Sequence, residues 1–227
     1  MSTESAANDT ASEPSSEADL DLAEVLGMGE LDQQQQSAKN LSLQAAVHVF
    51  ALLGALALWG AADSWSLVTD LPLAAGFAVI ASVAFGIVMV HVIHEWFHFF
   101  GAAFSGASYT VKERAAPLFF DFDYSNNTDR QFLSMSIAGT LGNLLFIALV
   151  VTLVPIDSAS RAMLLAVGLG MLIYVGCIEW PVIRYALQGR SAMDALVAHF
   201  GKGPGVLNRA LVYGLLAAGL SWWFIWF

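Results

Sequence analysis

Gly86-Ile87-Val88-Met89-Val90-His91-Val92-Ile93-His94-Glu95-Trp96-Phe97-His98 carries an apolar run into a cluster of ionisable side chains. The run belongs to a stretch, about 74 to 101, long enough to cross the roughly 30 Å hydrocarbon core of a bilayer as a helix. A helix there puts His94 and His98 at i and i+4, one turn apart on one face, so that two imidazoles can grip one Zn²⁺. Glu95 stands beside them, placed to activate a water on that ion. Ionisable groups are costly inside a membrane, so this cluster marks a functional site.

Composition agrees with a bilayer environment: 57% of the chain is hydrophobic and only 12% is charged. Apolar stretches predict spans at about 43–62, 74–101, 132–154, 162–184 and 207–226, an all-α polytopic bundle of about five transmembrane helices. The net charge of -10 is concentrated at one end. Residues 1–40 carry nine acids against one base, Lys39, and are rich in Ser, Ala, Glu and Gln, the composition of a disordered tail. The expected organisation is therefore an acidic tail over 1–40 and a membrane domain over 41–227. That tail is available to a cytoplasmic partner, and Leu20 to Leu31 within it has helical spacing. A signal peptide would open on a short basic segment, which this acidic beginning is not. The single cysteine, Cys177, excludes an intrachain disulfide.

If the five spans alternate, Lys39, Lys112, Arg114, Arg130, Arg184, Arg190, Lys202 and Arg209 fall on one side, against Arg161 alone on the other. The positive-inside rule makes the crowded side cytoplasmic, which puts the N-terminus there and the C-terminus opposite. His94, Glu95 and His98 then lie near the cytoplasmic end of the second span, Gly139 and Asn143 in the first turns of the third, and Glu179 shortly before the end of the fourth. At 1.5 Å per residue these groups share one layer of the bilayer.

The order HExxH in one span, a cytoplasmic-side loop, then Ala138-Gly139-Thr140-Leu141-Gly142-Asn143 opening the next span, resembles the site-2 protease family of intramembrane zinc metalloproteases. Gly101-Ala102-Ala103-Phe104-Ser105-Gly106 resembles that family's small-residue stretch after the motif. The resemblance implies a three-helix catalytic core within about 74–195, flanked by one further span on each side. It implies His94 and His98 as zinc ligands, Glu95 as general base and later proton donor, and Asn143 as a polar group holding the substrate backbone or a developing oxyanion. The loop from about 107 to 130, with Phe120, Asp121, Phe122, Asp123 and Tyr124 alternating, is either an edge strand for an unwound substrate or an amphipathic loop on the membrane surface.

The departure from the family pattern is at the third ligand. The family supplies an aspartate in a stretch resembling NxxPxxxLDG, and this chain reads Leu187-Gln188-Gly189 where Leu-Asp-Gly is expected. A glutamine carbonyl is a poor zinc ligand compared with a carboxylate. Glu179 has the depth and chemistry to replace it, with Pro181 available to turn the helix, Asp194 is the second candidate, and a site without a protein third ligand is the remaining alternative. His91 is either an i, i+4 partner of Glu95 or a structural histidine bonded to a neighbouring helix.

Other features read as packing. His48 is expected to satisfy an interhelical polar contact, His199 to lie on a cytoplasmic surface, and Trp222-Trp223-Phe224-Ile225-Trp226-Phe227 to anchor at the interface. The leading reading is a zinc metalloendopeptidase cleaving a membrane-anchored protein near the cytoplasmic face. The alternatives are an inactive protease-like scaffold or accessory subunit of a membrane complex, and a membrane protein that handles metal without hydrolysis. The expected partners are the lipid bilayer and a membrane-protein substrate or complex, not nucleic acid.

Overall fold

A computed structural model describes residues 28–201 and 203–227, with side chains from residue 35 onward. The expectations for the acidic tail before residue 28 lie outside the described residues. Asn40–Phe227 forms one compact unit, and the residues before Asn40 belong to another, described only as helix from Met28.

The described residues form six helices and one small hairpin. In chain order these are α1 (Met28–Thr69), α2 (Pro72–Phe104), β1 (Tyr109–Val111), β2 (Phe120–Phe122), α3 (Asp129–Leu153), α4 (Ala159–Leu187), α5 (Ala192–Phe200) and α6 (Gly205–Trp226). Five of them are long and apolar enough to cross a membrane: 35 residues from Gln35 in α1, then 33, 25, 29 and 22 in α2, α3, α4 and α6. Each exceeds the roughly 20 residues a bilayer requires. Helices α3 and α4 begin before the apolar runs expected for them because polar capping residues, which hydropathy does not count, start them. Thr128 and Gln131 form a reciprocal capping box at α3, and the Ser158 and Ser191 hydroxyls accept backbone N–H bonds at α4 and α5. Between α1 and α2 the chain turns on Asp70, at φ 53°, and Pro72 opens the next helix.

Helices α2, α3 and α4 pack on one another, and α6 packs along α4. Gly101 lets α2 approach α3: a Cβ there would lie 2.6 Å from the Ser134 carbonyl oxygen. Helix α1 is joined to the rest through polar side chains. At one end of α4, Arg161 Nε donates to Asp63 Oδ2 at 2.9 Å, and Trp59 Nε1 donates to Ser160 Oγ at 2.9 Å. The outward faces are apolar, with Val68, Phe104, Leu153 and Phe224 all exposed. In water such a surface would be a liability, whereas hydrocarbon is its natural solvent. The fold is thus an all-α bundle that fits a multi-pass membrane protein.

The segment between α2 and α3 contains the hairpin. Phe120–Phe122 is a strand, paired antiparallel with β1 in the register Tyr109↔Phe122, Thr110↔Asp121, Val111↔Phe120. Lys112 N–H donates to Phe119 O and Asp123 N–H to Ser108 O, which fixes the parity of the ladder. Pairs 110–121, 112–119 and 108–123 face each other, so the backbone N–H and C=O of Phe120 and Phe122 point away from β1.

Candidate metal centre

The motif helix and its neighbour are matched turn for turn. His94 Nδ1 donates to Gly139 O at 2.8 Å, and His98 Nδ1 donates to Met135 O at 2.8 Å. The two histidines are four residues apart on α2, and the two carbonyls four residues apart on α3, so one turn of each antiparallel helix aligns with one turn of the other. A carbonyl can only accept, so each Nδ1 carries the hydrogen and each neutral ring presents its lone pair at Nε2. Gly139 makes this possible, because a Cβ there would collide with His98 Cε1, Nε2 and Nδ1. Helix α3 thus holds both imidazoles by their far nitrogens, the arrangement that orients ring ligands on a metal.

The near nitrogens meet a carboxylate from a third helix. His94 Nε2 and His98 Nε2 lie 2.9 Å apart, and Glu179 Oε1 of α4 lies 3.0 Å from each. Three acceptors form a nearly equilateral triangle whose lone pairs converge. Such a set is stable only around a cation, either a proton on one ring or a metal ion that takes all three lone pairs. Tetrahedral zinc, with bonds of about 2.0–2.2 Å, would set its ligands roughly 3.3 Å apart. The observed triangle is within a few tenths of an ångström of that, and its two nitrogens and one carboxylate oxygen are a zinc donor set.

Among the sequence candidates for a third ligand, the structure brings Glu179 to the histidines and leaves the others apart. Asp194 lies exposed in the first turn of α5, where its own N–H donates to Ser191 Oγ. Gln188 caps the end of α4 and is exposed. Pro181 sits inside α4 without interrupting it.

Glu95 is buried beside the triangle. One carboxylate oxygen lies, with ligand nitrogens of His94 and His98, in a group whose members are all within 4.8 Å of one another. That is looser than the 3.0 Å contacts of Glu179, and Glu95 also faces an open cleft. Glu179 is thus the carboxylate in direct contact with both rings, and Glu95 stands farther off beside them. His91 donates from Nε2 to Pro117 O at 3.2 Å, so it serves a loop carbonyl. Asn143 is only 1% exposed, its amide makes no hydrogen bond among the described residues, and it does not line the cleft.

The cleft holds about 430 Å³. His98, Glu95 and Glu179 form its polar floor, and all three residues of β2 line one wall while β1 contributes none. Tyr124 and Phe132 stand beside β2, with their ring centroids 6.1 Å apart. Burial and the negative charge of Glu179 push the Tyr124 phenol up, so it is a protonated donor at neutral pH. Leu196 and Phe200 of α5 close another side. Sequence reasoning missed α5. Its signal was there in Ser191 as N-cap followed by apolar residues at 192, 193, 196, 197 and 200.

No protein family, no curated protein and no solved structure matches this chain.

Proposed function

We propose that this protein is an intramembrane zinc metalloprotease of the site-2 type, hydrolysing a peptide bond of a membrane-anchored protein near the cytoplasmic face. The observation that carries the proposal is the triangle of His94 Nε2, His98 Nε2 and Glu179 Oε1, with both rings held by α3 carbonyls and a second carboxylate, Glu95, on the cleft side. His94, His98 and Glu179 would hold the ion. Bound zinc supplies Lewis acidity, which brings water ionisation near neutral pH and polarises a carbonyl.

The other work falls to the chain's own side chains and backbone. Glu95 takes a proton from the attacking water as its oxygen bonds to the scissile carbonyl carbon, and returns that proton to the amide nitrogen as the C–N bond breaks. The outward backbone groups of Phe120 and Phe122 are free to pair with an unwound substrate segment, adding a strand to the hairpin.

Full-length protein in lipid nanodiscs tests the reading. Zinc at close to one ion per chain, lost in His94→Ala, together with zinc-dependent cleavage of a single-span membrane substrate that Glu95→Gln abolishes, is the expected result. Wild-type protein without near-stoichiometric zinc would falsify the proposal. Zinc without cleavage of any substrate would favour instead the inactive scaffold, the reading to which Gln188 in place of the expected aspartate points.

A further inference from the structure

We infer that Gln44 is a positioning residue: from α1 it clamps the connection between β1 and β2 and so sets the strand edge that walls the cleft. The functional consequence rests on the proteolytic reading, while the clamp itself does not. Residues 112–119 join the two strands without regular structure. Irregular backbone packed against helices needs partners for its carbonyls. Gln44, with 0% of its surface exposed, supplies them. Its Nε2 donates to Lys112 O at 2.9 Å and to Arg114 O at 2.7 Å, and its Oε1 accepts from Ala116 N–H at 3.3 Å. One primary amide thereby uses both of its hydrogens and its oxygen on a single stretch of loop.

Neighbouring contacts extend the clamp in both directions. One turn before Gln44, Asn40 Nδ2 donates to Val111 O at 3.4 Å, at the end of β1. On the far side of the loop His91 holds Pro117 O, and fully buried Phe119, one residue before β2, packs against Trp96 at 4.7 Å and His48 at 5.4 Å between ring centroids. The hairpin is thus fixed along its connection, while the outer edge of β2 is left open to the cleft. Without the Gln44 donors, two part-buried carbonyls lose the partner that ties them to α1, and the loop is released to seek other donors. Strand pairing tolerates little of this, because neighbouring strands sit about 4.8 Å apart and hydrogen bonds weaken within tenths of an ångström.

The test uses full-length, zinc-loaded protein in nanodiscs. Gln44→Glu keeps the side-chain shape but turns both donors into a carboxylate oxygen facing two carbonyls. Amide exchange at Lys112 and Asp121 is expected to accelerate about tenfold, with α3 amides and zinc content unchanged. KM for a cleaved membrane substrate is expected to rise about tenfold while kcat stays within about twofold. Asn40→Ala, a gentler change at the edge of the clamp, should move exchange in the same direction by less. Hairpin exchange unaltered in Gln44→Glu overturns the inference, as does faster exchange with an unchanged KM. A wild-type protein that holds zinc but cleaves nothing overturns the proteolytic reading instead, and the exchange comparison still decides the clamp.

Discussion

Trp96 donates its indole N–H to Nδ1 of His48 at 3.0 Å, so a residue inside the HExxH motif ties the motif helix to α1. The same indole packs on Phe119 at 4.7 Å between ring centroids. One of the two variable positions of the motif thus connects the motif helix, the first span and the hairpin. Trp96→Phe keeps most of the packing and removes the donor, leaving a buried imidazole nitrogen without its partner. Stability should fall by about 1–3 kcal/mol, read as an earlier thermal unfolding transition, with zinc content unchanged.

The proposed function gives the two carboxylates of the site different roles. Glu179→Gln should weaken zinc binding by more than the roughly 10–100-fold typical of losing an outer partner, because it replaces an ion-facing carboxylate oxygen. Glu95→Gln should keep zinc and reduce hydrolysis by about 10²–10⁴-fold. Competition with a chelator of known affinity measures the first, and single-turnover cleavage the second. Equal loss of zinc in both variants would dissolve the distinction.

Gly139→Ala places a methyl group where the His98 ring lies. The ring must leave Met135 O or α3 must retreat from α2, and either movement opens the triangle. The expected outcome is a chain that still inserts and remains helical by circular dichroism but binds zinc at least about tenfold more weakly, since the Nδ1–H bond to Met135 O is what orients the His98 ring as a ligand. Undiminished zinc affinity would show that the α3 carbonyls do not set the ring positions.

Asn143 buries an amide that has no hydrogen-bond partner among the described residues. An unpaired buried polar group costs about 1–3 kcal/mol, so Asn143→Leu, close in shape, should unfold no earlier than the wild type. If cleavage nevertheless drops with zinc intact, Asn143 serves the reaction. If cleavage also persists, the amide serves neither.

Outside the spans, Asp123 accepts from Ser125 and Asn126, and these bonds hold its carboxyl down to about 2. The ordinary value for Asp in an unfolded chain is near 3.9, so the folded loop favours the ionised form. That contribution is fully present above the unfolded value and disappears as pH falls through about 2. Carboxyl NMR should show Asp123 titrating below the ordinary aspartate range, and Ser125→Ala with Asn126→Ala should return it toward that range.

Much of the fold was legible because a bilayer imposes length and hydropathy directly on each segment. Runs such as 162–184 need no partner to be read as spans, and helical periodicity alone puts His94 and His98 on one face. The starts of α3 and α4 were less legible, since Thr128 and Ser158 act through hydrogen bonds that hydropathy does not register. Helix α5 escaped because it is short and amphipathic, and its contribution to the cleft depends on where the chain returns after α4.

The candidate site divides in the same way. The sequence alone determined the two imidazoles one turn apart, the glutamate beside them and a shared depth with Glu179, all consequences of a rise of 1.5 Å per residue. Only the tertiary structure decided which carboxylate closes the triangle, which nitrogen of each histidine faces it, and what holds the hairpin over the cleft. Those outcomes depend on contacts between residues far apart in the chain, His94 with Glu179, His98 with Met135 and Gln44 with Arg114. A local pattern can state which groups are available, but their meeting is set by how closely helices pack, and here the absence of one side chain at Gly139 decides it.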